Sequence, residues 1–332
     1  MNIYAVISLL SEVPVGYNPS VGRYEPMGRK MGFKKAIVNL MPNPLVKVFA
    51  APYVAGTGLE SGLGAAERFW ENDGLHSTID LLGEEVYNHD EVEGVVGIYL
   101  RAVDQLKDRK YATISLKPTQ LGIFEGEKYC LENMRKIISA AGKQDLNVTI
   151  DMEDHPYTDV TLDFFHQLRE EFDNVGTVLQ ARLFRTRDDI MALPKKPCKI
   201  RICIGIYNES ADIALQKRSD MKNRLFEDMQ LLLENGHYPE IATHDVALIN
   251  RCISFMEENK IPSDRYEYQM LMGVPRKAIQ HKLLERGNIV RLYVPFAEKW
   301  KYALAYCKRR LAANPMMAAY VMKNMVGKST GR

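Results

Sequence analysis

Short apolar runs and longer amphipathic stretches alternate along the chain from about residue 75 onward. Eight runs are short and rich in β-branched residues, as strands are, and most of the gaps between them are long enough for one helix. Several runs are apolar nearly throughout, which is typical of parallel strands covered on both faces. The runs are STIDLL (77–82), ATISLK (112–117), NVTIDM (147–152), GTVLQAR (176–182), KIRICIG (199–205), EIATH (240–244), YEYQMLM (266–272) and IVRLYVP (289–295).

The stretches between these runs have helical periodicity, most clearly at 125–141, 160–172, 218–236 and 245–259. Repeated strand–helix units predict an α/β protein, and eight of them predict a distorted (β/α)8 barrel. An open, doubly wound parallel sheet is the alternative. No G-x-G-x-x-G follows a strand and no G-x-x-x-x-G-K-[ST] is present, which argues against dinucleotide-binding and P-loop proteins.

The two ends of the chain differ from the barrel. Residues 1–75 contain helix-like pieces punctuated by Pro and Gly, so we predict an N-terminal helical arm there. The barrel is expected to occupy residues 76–315, and residues 316–332 form a tail or helix. The tail has a Met-rich apolar face, which we expect to be buried; contact with a partner or a membrane surface is the alternative.

Composition narrows the classes of function. The 332 residues carry 44 Lys and Arg against 42 Asp and Glu, a formal charge of +2, which argues against general nucleic-acid binding. The five cysteines are scattered, with no C-x-x-C pair, which favours buried thiols in a reducing compartment over disulfides or structural zinc. No apolar run approaches the ~20 residues of a membrane span, and the N-terminus is a poor signal peptide. We therefore expect a cytoplasmic protein.

Polar side chains gather where the predicted strands end, which is where (β/α)8 barrels place their active sites. Any one of them is usually a cap or a surface group, but their recurrence on most of the strands predicts a site. A basic helix, AYCKRRLAAN (305–314), follows the last strand. The strand-end residues are Glu84, Lys117, Asp151, Glu153, Gln180, Arg201, Tyr207, Thr243, His244, Asp245, Gln269 and Tyr293.

An ordered succession of motifs resembles the proline dehydrogenase family over about residues 35–315. The motifs are LLGE, SLKPTQLG, TIDMED, GTVLQARLFRT, IRICIGIY, ATHD, YEYQMLMG, VRLYVPFAEKW and YCKRRLAANP. The resemblance implies a distorted barrel that binds FAD and oxidises L-proline to Δ1-pyrroline-5-carboxylate by hydride transfer to flavin N5. It also implies electron transfer to a quinone or another acceptor, with at most peripheral contact at the inner face of the membrane.

The resemblance also implies roles for individual residues. Asp151 and Arg201 match the catalytic centre, and Glu84 matches a gate acid that pairs with Arg309. The substrate carboxylate is implied to meet Lys117, Arg309 and Arg310, and Tyr306 shares their helix face. The pocket walls match Tyr207, Leu271 and Tyr293. The implied flavin contacts are Met152, Gln180, Arg201, Ile204, Gly205, Ile206, Thr243 and His244, with no metal ligand among them.

Four positions depart from the family pattern. In the motif IRICIGIY of the fifth predicted strand, Ile204 stands in place of Lys and Ile206 in place of Ala. Further along the chain, Ala297 replaces Gly and Ala313 replaces an acid. Two alternatives to proline oxidation therefore stay open: a flavoenzyme for another cyclic or N-substituted amino acid, and a barrel that has lost flavin chemistry and serves as a binding or scaffold protein. From the residues alone, a Schiff-base aldolase using Lys117 is a further alternative.

Overall fold

Eight parallel strands close into a barrel in the computed structural model of this chain, which describes residues 15–18, 23–26, 51–83 and 86–313. Each strand pairs with the next along the chain, and the last strand pairs with the first. The barrel strands are β3 (His76–Leu82), β4 (Ala112–Leu116), β5 (Val148–Ile150), β6 (Val175–Gln180), β7 (Lys199–Cys203), β8 (Tyr238–Ala242), β9 (Glu267–Leu271) and β10 (Ile289–Ala297). All eight predicted strands are confirmed, and closure rules out the open sheet.

Helices follow the strands as the sequence pattern predicted. Those predicted at 125–141, 160–172, 218–236 and 245–259 are confirmed within two residues at each end. The helices are α1 (Leu59–Asp73), α2 (His89–Gln105), α3 (Glu127–Gly142), α4 (Thr158–Glu171), α5 (Thr186–Met191), α6 (Arg218–Glu234), α7 (Val246–Glu258), α8 (Lys277–Glu285) and α9 (Trp300–Ala313).

The region predicted as a helical arm contains α1 and also an antiparallel hairpin, β1 (Val15–Asn18) and β2 (Arg23–Pro26). The hairpin was not predicted. The predicted tail at 316–332 lies outside the described residues. Within the described part of the chain, no helix combines the length and the apolar character that crossing a bilayer requires.

The barrel wall separates an apolar layer from a polar interior. Successive side chains of a strand point to opposite faces. In β3 and β4 the buried apolar residues Ile79 and Ile114 are each followed by a buried polar residue, Asp80 and Ser115. The buried polar side chains of different strands contact one another, so they lie inside the barrel. The buried apolar side chains point to the other face of the strands and pack beneath the helices.

Two side-chain hydrogen bonds fix the beginnings of helices around this wall. Asn88 Oδ1 accepts from the Asp90 amide at 2.9 Å at the start of α2. Asp245 Oδ1 accepts from the Leu248 amide at 2.9 Å at the start of α7. Asp245, one of the strand-end candidates, is therefore an N-cap, which is the structural explanation that such a residue usually has.

Candidate active site

Lys117 lies at the centre of a buried ionic cluster at the C-terminal ends of the strands. Its ammonium pairs with the Asp80 carboxylate on β3. It also lies 3.2 Å from Asp151 Oδ2, directly after β5, and 3.2 Å from the Tyr293 hydroxyl on β10. The barrel thus brings side chains from three other strands to one ammonium group.

Asp151 is fixed by contacts to both of its oxygens. Ser115 Oγ donates to Oδ1 at 2.7 Å, and Arg201 Nη1 contacts the same oxygen at 2.5 Å. The Tyr293 hydroxyl donates to Oδ2 at 2.5 Å. With Lys117 added, Asp151 has four partners, so its orientation is determined by β4, β7 and β10 together.

The charges set the protonation states of the cluster. Burial favours a neutral Asp151, but Lys117 and Arg201 outweigh it and hold the Asp151 pKa below its usual value. Burial likewise opposes the Lys117 charge, yet Asp80, Tyr293 and Asp151 raise the Lys117 pKa well above its usual value. Burial raises the pKa of Asp80 to about 6, with Lys117 acting in the opposite direction. A nucleophilic lysine has to be neutral, so this environment disfavours the Schiff-base aldolase alternative.

A second buried network lies on the other side of Arg201. Its Nε donates to Gln269 Oε1 at 2.6 Å, and Gln269 Nε2 donates to Glu267 Oε1 at 2.7 Å. Glu267 is in turn held by Arg291 through contacts of 2.6 and 3.1 Å. Glu240 Oε2 lies 4.0 Å from Arg201 Nε. Arg201 is therefore held between Asp151 on one side and the Gln269–Glu267–Arg291 chain on the other.

Two buried polar atoms near the end of β6 and the loop after β7 have no hydrogen-bond partner in the described residues. Gln180 Nε2 donates to the Glu153 carbonyl at 3.0 Å, while its Oε1 is buried without a hydrogen-bond partner in the described residues. Gly205 has φ +93°, and a Cβ added there would lie 2.5 Å from Gln180 Oε1. Arg182 donates through Nη1 to the Tyr207 carbonyl, and its buried Nε has no partner among the described residues.

The other predicted cofactor contacts differ in how far they are buried. Met152 and Thr243 are buried, and Ile204 packs against the core from the loop. Ile206, in contrast, is 74% exposed. His244 Nε2 accepts from the Leu271 amide at 2.8 Å and so ties the end of β8 to the end of β9.

The basic helix forms as expected. The backbone of α9 places residues 306, 309 and 310 on one side of the helix through spacings of three and four. Tyr306 is partly buried and packs against a small cluster formed with α9 and β10. Glu84 lies outside the described residues.

The sequence interpretation missed Asp80 and Ser115, and it gave no role to Gln269 or Glu267. The signal was present inside the strands. Asp80 interrupts the apolar run TIDLL, and Glu267 and Gln269 occupy alternate positions of β9. Alternate polar residues in strands that are otherwise apolar mark the interior face of a barrel.

Comparison with known proteins gives a consistent result. The sequence model of the family described as "Proline dehydrogenase" matches residues 65–322. "Proline dehydrogenase 1" of Bacillus subtilis (strain 168) is 34% identical over 280 residues, covering 84% of this chain and 91% of that protein. "Proline dehydrogenase" of Deinococcus radiodurans is 32% identical over 308 residues, covering 89% of this chain and 98% of that protein.

Solved structures support the fold. Proline utilization A from Bdellovibrio bacteriovorus, inactivated by N-propargylglycine, has a TM-score of 0.72 and 22% identity. The match covers 79% of this chain and 32% of that one, so this chain spans about a third of its length. The family model and the two relatives confirm the family resemblance read from the sequence motifs. The relatives named as dehydrogenases are oxidoreductases, and this chain belongs to the proline dehydrogenase family.

Proposed function

We propose that the protein is an FAD-dependent enzyme that oxidises L-proline to Δ1-pyrroline-5-carboxylate. The observation that carries the proposal is a cluster at the ends of the strands in a member of this family: buried Asp151 and Arg201 with partly buried Lys117 and Tyr293. Fixed cations and a fixed carboxylate suit a small zwitterionic substrate better than a large apolar one.

The residues present fit a flavin. The unpaired Gln180 Oε1 and Arg182 Nε are an acceptor and a donor, which suit the polar edge of an isoalloxazine ring. Gly205 lacks a side chain and so lets the loop backbone lie directly against Gln180 and Arg182. We assign Met152, Gln180, Arg201, Ile204, Gly205, Ile206, Thr243 and His244 to this cofactor site. When bound, the flavin supplies the two-electron acceptor for the hydride.

The chain's own residues bind and orient the substrate. We assign Lys117, Arg309 and Arg310 to the substrate carboxylate, since an ammonium and two guanidinium groups make charge-assisted hydrogen bonds with it. Tyr293 and Asp151 hold Lys117 in place. We assign Tyr207, Leu271 and Tyr293 to the pocket walls, and Tyr306 to the substrate side of the helix that carries Arg309 and Arg310. Glu84 acts as a gate that pairs with Arg309 when the site closes.

The substrate amine must be neutral before hydride leaves the adjacent carbon. The protein's contribution is to bind the substrate in one orientation and to keep water away from the reacting atoms. We further propose that a quinone or another acceptor reoxidises the enzyme, and that the protein is cytoplasmic with at most peripheral membrane contact.

A visible spectrum of the purified protein tests this function. Flavin bands that bleach on addition of L-proline support it. A colourless protein that FAD does not reconstitute contradicts it and leaves a binding or scaffold role. Bleaching by another cyclic or N-substituted amino acid, but not by proline, favours a flavoenzyme for that other substrate. Two residues suggest this candidate: Ile204 stands where the family pattern has Lys, and Ile206 stands where it has the smaller Ala.

A further inference from the structure

Asp80 is a buried carboxylate that the roles assigned above do not use. It is 1% exposed, and its Oδ1 pairs with Lys117. Its Oδ2 is buried and has no hydrogen-bond partner in the part of the chain that the structure describes. The charged and titratable groups that act on it are Lys117 after β4, Asp151 after β5, Tyr293 on β10 and Tyr99 on α2.

The two carboxylates that share Lys117 are supported unequally. Asp151 also has Arg201, Ser115 and Tyr293 as partners, which keeps it ionised. Asp80 has Lys117 as its ionic partner, and the Tyr293 hydroxyl adds a smaller stabilising contact. Of the two, Asp80 is therefore the carboxylate that can be neutralised at the lower cost.

A substrate carboxylate at Lys117, which the proposed function requires, adds a third negative charge to this cluster. Arg309 and Arg310 are assigned to the substrate carboxylate itself, whereas Lys117 is the cation that pairs with Asp80 in the described residues, so competition for Lys117 leaves the Asp80 charge without its cation. The unpartnered Oδ2 is a position where a proton can reside without breaking an existing hydrogen bond.

From this geometry we propose that Asp80 is a positioning residue for Lys117, and that its Oδ2 takes up one proton from solvent when the substrate carboxylate binds. Lys117 keeps its proton. Its ionic partner changes from the Asp80 carboxylate to the substrate carboxylate. The total charge of the cluster then stays constant on binding. This inference rests on the proposed function, because it needs the substrate carboxylate at Lys117.

The proposal predicts the direction in which the affinity for a carboxylate ligand changes with pH. In the free enzyme the Asp80 pKa is raised to about 6, so the carboxyl is ionised at pH 8 and must gain a proton for the ligand to bind. Carboxylate affinity should fall as the pH rises above about 6, by at most about tenfold per pH unit for one proton.

The test uses the full-length, flavin-loaded enzyme and tetrahydrofuran-2-carboxylate. In this probe an ether oxygen replaces the amine, so the probe itself does not titrate between pH 6 and 8.5. Calorimetric titration in two buffers of different ionisation enthalpy gives the number of protons taken up per ligand bound. We expect uptake approaching one proton at pH 7.5 for the unaltered chain, and none for Asp80→Asn, whose affinity should not vary with pH.

Asp228→Asn is the matched control. Asp228 is also buried, has an unpartnered Oδ2 among the described residues and has a raised pKa, but it lies on α6 away from the cluster. This variant should take up protons as the unaltered chain does. Asp80→Ser is a second variant for the case that Asp80→Asn does not fold. In the unaltered chain, infrared difference spectra should show the carbonyl band of a protonated carboxylic acid on ligand binding.

The outcomes separate the two proposals. If the unaltered enzyme binds the probe without taking up a proton, or if the Asp80 variants take up as many protons as the unaltered chain, the Asp80 proposal is wrong while the function stands. If the flavin-loaded enzyme does not bind the probe at all, the assignment of Lys117, Arg309 and Arg310 to a substrate carboxylate is wrong, and the Asp80 proposal, which needs that carboxylate, is wrong with it.

Discussion

Arg201 and Gln269 are joined inside the barrel by a 2.6 Å hydrogen bond from the guanidinium Nε to the amide Oε1. This bond connects the cluster around Asp151 to the buried Glu267–Arg291 pair. Arg201 is thus held from both sides by side chains that have no freedom to move independently. The orientation of the guanidinium depends on residues of β9 and β10 as well as on its own strand.

Replacing Gln269 by Leu should misplace Arg201. The substitution leaves the buried Arg201 Nε without a hydrogen bond, which costs about 1–3 kcal/mol of stability. An Arg201 guanidinium that is no longer held in one orientation should also lower kcat, about tenfold or more. Urea unfolding and steady-state kinetics with proline measure the two effects. Gln280→Leu is the control, because the Gln280 amide donates to the Met270 sulfur at 3.7 Å and has no hydrogen bond to Arg201 or Glu267 in the described residues. Equal kinetic effects of both variants would show that Gln269 has no positioning role.

A Cβ at position 205 should exclude the flavin. Gly205→Ala would place a methyl group 2.5 Å from Gln180 Oε1 and 2.9 Å from Arg182 Cδ. Gly236→Ala is a matched control, since Gly236 also has a positive φ, +78°, but no atom lies within 4 Å of its added Cβ. Both variants should lose about 1 kcal/mol of stability from the positive φ. Only Gly205→Ala should also lower the flavin-to-protein absorbance ratio.

Lys117→Met should cost both stability and substrate binding. Removing the ammonium leaves Asp80 and Asp151 without the cation between them, and breaking a buried ion pair in this way costs about 3–5 kcal/mol. Adding Asp80→Asn removes the carboxylate that has lost its paired cation. The double variant should therefore recover part of the stability in urea unfolding. It should not recover affinity for proline, because the cation that meets the substrate carboxylate is still missing. Recovery of affinity in the double variant would contradict the role of Lys117.

The eight strands were predictable because each is a short apolar run separated from the next by turns and an amphipathic helix. The contacts inside the barrel were not, because they depend on strand register. Asp80 pairs in register with Ser115, and this brings Lys117, two residues further on, within reach of the Asp80 carboxylate. Alternation identifies which residues point inward, but it does not say how far one strand is shifted along its neighbour.

The β1–β2 hairpin was missed for a different reason. Each strand has only four residues, and the two contain Gly16 and Pro26. Neither gives enough alternating positions to be distinguished from a loop. Asp245 illustrates the opposite error, since a strand-end acid considered for chemistry is the N-cap of a helix. Position in the barrel alone does not separate caps from site residues.

Arg309→Ala should weaken substrate binding and leave the flavin in place. Arg309 and Arg310 lie on α9, beyond the last barrel strand, and we assign both to the substrate carboxylate. Losing a charge-assisted hydrogen bond of this kind costs about 1.5–3 kcal/mol, which raises KM for proline about tenfold or more. Lys308→Ala removes a neighbouring cation without a proposed role and should have little effect. If the two variants bind proline equally well, the carboxylate site does not include Arg309.

Asp228 should make the protein less stable at alkaline than at acidic pH. Burial raises the Asp228 pKa from 3.8 to about 7, and Glu227 adds to this while Arg224 opposes it. Because the folded-state pKa lies above the unfolded value, folding stability contributed by the protonated carboxyl is lost as the pH rises from about 4 to about 7. Asp228→Asn should therefore raise the free energy of unfolding, measured in urea, by about 1–2 kcal/mol at pH 8 and change it little at pH 4.5. Asp163→Asn, at an exposed position of α4, should show no such difference between the two pH values. A gain from Asp228→Asn that is the same at both pH values would mean that the carboxyl does not titrate in this range.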